Sequence, residues 1–275
     1  MRLKVNYNTL YRYSVPARRV IQLLRVWPHS FAGQSVIDWR IDVDCDARLH
    51  QGSDGYGNIT HMLYLDQPVD QLRVSVTGTV LAEDRSGIVQ GLPADLPPAI
   101  FLRGTDLAQP GGSLAELADS LRGDEPILTR LHRLNSLINT RMGFDTGATT
   151  IGTTAVQAWG AGHGVCQDFA HIFIAVARSL GIPARYVSGH LFRRDGAAAQ
   201  EAAHAWAEAY VEGLGWIAFD PANGICADDA YIRVAAGLDY RDAAPFAGAR
   251  SGGGSEQLSV DVEVRLAQSQ FQSQN

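Results

Sequence analysis

Three residues in the second half of this 275-residue chain have the types needed for nucleophilic catalysis. They are Cys166 in "HGVCQDFAH", His204 at the head of "HAWAEAYV" and Asp220 at the end of "GWIAFD". A thiolate attacks a carbonyl carbon, and an imidazole takes the thiol proton and later delivers it to the leaving group. A carboxylate fixes the imidazole tautomer and stabilises its charged form. The chemistry in prospect is acyl transfer from an amide. Alone, a helix cysteine is most often inert packing and a strand histidine an ordinary half-exposed side chain. The inference therefore rests on the three together, and on elements able to bring them together.

Forward from Cys166, the residues Phe169, Ala170, Phe173, Ile174, Val176, Ala177 and Leu180 recur at helical steps and on more than one side, as in a central helix. Gly181 and Pro183 end it, and Gly164 allows close backbone approach ahead of the cysteine. Cys166 thus falls in the first turn, where unpaired N–H groups and the helix dipole favour a thiolate and can receive an oxyanion. "HAWAEAYV" and "GWIAFD" alternate as strands, joined by "EGLG" as a hairpin turn. If the turn centres on Glu212, His204 opposes Asp220; if on Gly213, Asp220 opposes Trp206 and is diagonal to His204. Both registers leave the pair on one face and in reach.

Nearby residues carry two readings each. Gln167 and Asp168 follow the cysteine, in a second layer around the site or as helix-start caps. Trp206 can shield the imidazole. Gln157 and Trp159 can line an acyl-donor cleft, but a packed helix face is the simpler expectation, as packing is for His171. Cys226 is read as incidental.

The elements that position these groups occupy residues 127–267, read as the catalytic core. It opens with a helix whose Ile127, Leu131, Leu134, Ile138 and Met142 share a face, with Pro126 in its first turn. Residues 1–82 read as a β-rich, sandwich-like domain. Within it, "DVDCDARL" alternates with Cys45 on the apolar face, "SDGYGN" is a tight turn and "LRVSVTGTVLA" alternates again. Residues 83–126, rich in proline, read as a connecting segment with one short helix capped by Ser113. "QLSVDVEVRL" reads as a final strand, and 268–275 as a polar tail.

Composition narrows the classes. The chain is 46% hydrophobic and 19% charged with a net charge of −6, which suits a globular protein and argues against nucleic acid as partner. No apolar run of about 18 residues exists, so no membrane-spanning helix is expected. The three cysteines are widely spaced and odd in number, neither a disulfide framework nor a zinc set. The expected home is the cytoplasm, with no secretory signal.

"GVCQDFAH", "HAWAEAYVEGLGWIAFDPANG" and "VAAGLDYRDAAPFAG" resemble three blocks of the bacterial transglutaminase-like superfamily, which spans cysteine proteases, amidases and crosslinking enzymes. "TLYRYSVPARRVIQLLRVWP" and "SDGYGN" are similar to the β domain that precedes this core in many bacterial members. The resemblance implies an α+β, papain-like fold with the cysteine helix packed on an antiparallel sheet. It implies Cys166 as nucleophile, His204 as general base and acid and Asp220 as its orienter. Leu238 stands where relatives often carry arginine, and His190 where an aromatic is common; both are expected to shape the pocket. No acidic cluster resembles a calcium site, so neither metal nor cofactor is expected.

The favoured function is cleavage of amide or peptide bonds in a peptide or protein substrate through a thioester, with transamidation to an amine the crosslinking alternative. A non-catalytic peptide-binding module on the same fold is the rival from another class. A metal site built from Cys166, His204 and Asp220 is disfavoured because a fourth ligand is lacking.

Overall fold

A computed structural model describes residues 1–93, 96–196, 199–200 and 202–267. The 268–275 tail lies outside the described residues. The first half builds one antiparallel sheet around β1 (Arg2–Trp27), joined by β2 (Gln34–Val43), β3 (Arg48–Ser53), β4 (Ile59–Leu65) and β5 (Val69–Ala82). Burial alternates along the first half of β1, with Leu3, Val5, Tyr7, Thr9, Tyr11 and Tyr13 inside, the period-2 signature of a sheet with one packed face. β1 is a single long strand where shorter ones were expected. Its two halves pair with different partners, and the pairings with β5 and the C-terminal strands shift register around Ala17, next to Pro16. A proline cannot donate to a ladder and sits at such breaks.

"DVDCDARL" does not run as one strand: β2 stops at Val43, the chain bends, and β3 starts at Arg48. Asp44 stops the ladder by using both its backbone and side chain on Arg73. Cys45 sits in that bend, partly buried against the core.

The segment 83–126 is more than a connector. β6 (Ile88–Val89) adds an edge to the second sheet, and a 3₁₀ turn at Pro98–Leu102 buries Phe101. In α1 (Ser113–Ser120) the cap position belongs to Gly112 at φ 48°, so Ser113 is the first helical residue and caps nothing. Pro126 likewise precedes α2 (Ile127–Arg141) as its cap.

The remaining elements are β7 (Gly143–Phe144), α3 (Ala155–Ala161), β8 (His163–Gly164), α4 (Cys166–Ser179), β9 (Ala184–Leu191), β10 (Ala199–Gln200), β11 (His204–Val211), β12 (Gly215–Asp220), β13 (Ile225–Cys226), β14 (Tyr231–Gly237), α5 (Tyr240–Ala243), β15 (Phe246–Gly252) and β16 (Glu256–Leu266). The second sheet is antiparallel in the order β13-β12-β11-β9-β14, with β6 on β12. α4 is buried from Gln167 to Arg178 and packs on Ala205, Ala207, Ala209 and Phe219 of that sheet. The architecture is α+β, with the cysteine helix against an antiparallel sheet.

The chain's end does not stay with this sheet. β15 and β16 pair with β1, so residues 246–266 complete the first sheet. The two sheets are joined through β14, whose ladder with β9 is broken between Arg233 and Ala235. At the break, Gln34 exchanges two hydrogen bonds with the Arg233 backbone and Asn58 two with Ala236, at 2.8 to 2.9 Å. Two side-chain amides thus supply the partners that buried backbone groups need. Asn58 belongs to the "SDGYGN" turn, so that turn docks the first domain on the second.

Candidate active site

Each of the three chemical residues stands at an end of its element. Cys166 opens α4, His204 opens β11, and Asp220 closes β12. The β11–β12 pairing sets Ala207 against Phe219, the register centred on Gly213, so His204 reaches Asp220 diagonally. His204 Nε2 donates to Asp220 Oδ2 at 2.6 Å, and the Cys166 thiol lies near enough to the ring to favour its charged form. Along β11 the alternate residues Ala205, Ala207 and Ala209 face α4. The imidazole and thiol therefore meet at the sheet's rim, where both elements begin.

Asp220 is wholly buried and held from several directions. Its Oδ1 accepts from the backbone N–H groups of Ala222 and Asn223, and its Oδ2 from Asn223 Nδ2 and Tyr231 Oη, both at 2.7 Å. Burial alone would raise its pKa, but the charge and hydrogen bond of His204, with Tyr231 and Asn223, hold it below the usual range. Burial would likewise lower that of His204. Asp220, aided by the Cys166 sulfur, outweighs it and pushes the imidazole up to about 10. The site thus favours imidazolium at neutral pH, with Asp220 as its buried counter-charge.

The nucleophile's turn is braced by its neighbours. Asp168 Oδ2 accepts from the Val165 N–H at 2.8 Å and from Thr149 Oγ1 at 2.6 Å, which pins the 149 loop to the start of α4. A Cβ on Gly164 would lie 2.6 Å from that same oxygen, which explains the glycine. Burial raises the Asp168 pKa against these two bonds. Gln167 is buried too, with its amide reaching the Ile151 carbonyl at 3.4 Å.

Trp206 stacks on His204, with ring centroids 6.1 Å apart, and covers the imidazole. Trp159 is packed in the helical core under the Arg141 guanidinium, whereas Gln157 is exposed and closes a capping box with Thr154. His171 is buried against Tyr186, and its Nε2 accepts the Tyr240 N–H. Burial, aided by Arg178 and Arg241, lowers its pKa to about 3, so it stays neutral. Burial raises the Cys226 thiol to about 11. His190 does not shape an acyl pocket: its ring packs on Tyr7 and Trp39 of the first domain. Leu238 is buried, and its carbonyl accepts from Arg178.

Sequence reading missed Tyr231, Thr149 and Asn139. Asn139 holds the turn after Asp220 by donating to the carbonyls of Pro221 and Ala222. Asn223 carried a local signal, being an amide in the "DPANG" turn; Tyr231 and Asn139 carried none. Among the described residues no group of three or more His, Cys, Asp or Glu is arranged to hold a metal, and no helix is long and apolar enough to cross a membrane.

Comparisons with known proteins agree with this architecture. Residues 115–221 match the model of the transglutaminase-like superfamily, and residues 3–81 that of the bacterial transglutaminase-like N-terminal region. An uncharacterized protein of Mycobacterium leprae is 30% identical over 97% of this chain and 99% of its own length. One from Mycobacterium tuberculosis is 30% identical over 96% of this chain and 91% of its own. A crystal structure described as a "putative cysteine protease" from Cytophaga hutchinsonii shares the fold, with a TM-score of 0.78 at 23% identity, covering 98% of this chain and 92% of that one.

Proposed function

Because the chain belongs to the transglutaminase-like superfamily, we propose that it is a thiol acyl-transfer enzyme that cleaves amide or peptide bonds through Cys166, His204 and Asp220. The observation that carries this reading is the His204 imidazole held by a buried, five-times-bonded Asp220, with the Cys166 thiol beside the ring at the start of α4.

The Cys166 sulfur attacks the carbonyl carbon, and the oxyanion is received at the N-terminal turn of α4. The C–N bond breaks as His204 passes its proton to the departing amine, leaving a thioester on Cys166. Water then gives up a proton to His204, attacks the thioester and releases the acid, restoring the thiol. An amine in place of water would give transamidation. Hydrolysis is favoured on context: the three cysteines are unpaired, which suits a reducing compartment such as the cytoplasm, where crosslinking of the extracellular kind has little use.

The test is mass spectrometry of Cys166 during incubation with a peptide-amide library, with and without a primary amine. An acyl adduct on Cys166, acid products and no adduct in Cys166→Ala support hydrolysis. Predominant amine incorporation moves the assignment to crosslinking. Peptide binding that survives Cys166→Ala, with no adduct in the wild type, overturns the enzyme in favour of a binding module.

A further inference from the structure

The segment between α2 and α3 wraps the turn that carries Cys166, and it holds two large apolar side chains that the fold leaves mostly in solvent. Phe144 is 60% exposed and Ile151 is 69% exposed. The residues between them, Asp145 to Thr150, all have short side chains. Phe144 and Ile151 are therefore the bulky groups this segment offers beside the nucleophile.

An isolated exposed apolar residue needs no explanation. These two differ because their backbone is fastened to the nucleophile's own turn. Phe144 pairs with Gly164 in the short β7–β8 ladder, at a strand spacing of about 4.8 Å, and Cys166 follows two residues later. The Asp145 N–H donates to the Gly164 carbonyl at 2.9 Å. Thr149 is held by Asp168, and the Ile151 carbonyl accepts from the Gln167 amide at 3.4 Å. The Phe144 ring tilts against Phe169, with centroids 6.4 Å apart. Phe169 is three residues on from Cys166, a neighbour on one face of α4. The backbone freedom of the segment is thus already lost in folding, so a ligand that covers the two side chains has little left to order.

The segment lies on the acyl side of the reacting bond. Cys166 faces the sheet, where His204 gives its proton to the departing amine, so the amine leaves toward β11. Asp168 comes two residues later, about 200° around the helix from Cys166, and it is the residue that holds Thr149. The acyl portion, which stays on the sulfur, extends away from the sheet toward Phe144 and Ile151.

We propose that Phe144 and Ile151 select substrates with a large aliphatic side chain on the acyl side of the scissile amide. This specificity rests on the acyl-transfer reading of the site. Such a side chain removes water from itself and from two apolar groups at once, whereas a glycine there gains nothing. Neither residue touches the reacting atoms, so they set which amide is attacked and leave the chemistry to Cys166, His204 and Asp220.

The experiment compares acetyl-leucyl and acetyl-glycyl chloromethyl ketones on the whole protein, with mass spectrometry of Cys166. With either probe the thiolate forms a C–S bond at the methylene carbon and chloride leaves, so the side chain is the only difference. Iodoacetamide, which has no side chain, reports the nucleophile itself in every variant. The wild type is expected to prefer the leucyl probe about fivefold, roughly what half-burying a leucine side chain supplies. The preference falls to about one when Phe144→Ser is combined with Ile151→Ser, and it is kept when Phe144→Leu is combined with Ile151→Leu. A wild type without the preference overturns the proposal, as does a preference kept by the double serine variant. In either case a Cys166 that iodoacetamide modifies leaves the enzyme reading standing. A Cys166 that none of the three reagents modifies in the folded protein removes that reading and the proposal with it, so the two failures are distinguishable.

Discussion

Replacing Asp220 by Asn tests the electrostatic core of the site. His204 is pushed from 6.5 to about 10, which at 1.36 kcal/mol per pH unit is on the order of 5 kcal/mol in favour of imidazolium. Only 10% of the His204 side chain is exposed and none of Asp220, so solvent screens this little. Burial works against the charged ring, so the attraction of Asp220 and Cys166 exceeds that net figure. Asp220→Asn keeps the shape and one accepting oxygen but removes the charge. The imidazole then titrates at or below 6.5, because desolvation is left opposed only by the thiol. The assay is ¹⁵N NMR of histidine-labelled protein, with His204 assigned by its loss in His204→Gln. Wild type holds the doubly protonated ring through pH 8, and the variant is neutral there. Alkylation of Cys166 at pH 7 falls about tenfold or more as the thiol loses its cationic partner. A wild-type His204 that titrates near 6.5, or an Asn variant with the wild-type curve, refutes the reasoning.

Two further outcomes follow from contacts around the site. Tyr231→Phe removes one hydrogen bond to the Asp220 carboxylate while the others remain. It should cost about 1.5 kcal/mol, roughly tenfold in Cys166 alkylation or turnover, with the fold intact by circular dichroism. Gly164→Ala drives a methyl into Asp168 at 2.6 to 2.8 Å, so the Asp168 clasp on Val165 and Thr149 must give. A loss of about 1–3 kcal/mol in urea unfolding is expected, and a variant as stable as wild type would contradict the clasp.

Stability should also peak near pH 6.5. Above it, His204 keeps its proton in the folded state to about 10 but not in the unfolded chain, so its contribution drains away as pH rises through that window. Below it, His171 and His190 stay neutral in the folded state down to about 3 and about 4 while the unfolded chain takes up protons, so acid destabilises. Urea midpoints at pH 5, 6.5 and 9 check both limbs; a midpoint rising from pH 6.5 to 9 contradicts the His204 assignment.

The chemistry was legible in sequence because each of its residues sits at the end of a locally specified element. The helix after Cys166 is set by its own apolar pattern and stopped by Gly181, which has φ 74°. The hairpin carrying His204 and Asp220 is set by alternation and by Gly213 and Gly215, both at positive φ. Local pattern left the register open, and the structure closed it on Gly213. The alternation of "DVDCDARL" misled because Asp44 satisfies a neighbouring strand's backbone instead of continuing its own.

What only the tertiary structure decided depends on contacts between distant parts of the chain. β15 and β16 leave the core that precedes them and pair with β1, because a strand's partner is set by which edge is free and which face is buried. Tyr231 and Asn139 reach the Asp220 turn from 11 and 82 residues away along the chain, and no local pattern marks such a meeting. Gln34 and Asn58 find their places on β14 only because its ladder breaks there. The sequence by itself determined the helix, the hairpin and the three reactive groups, since short-range periodicity and turn residues specify these. The cage around Asp220 and the join between the domains were decided by packing, since each needs three or more separate segments in one place.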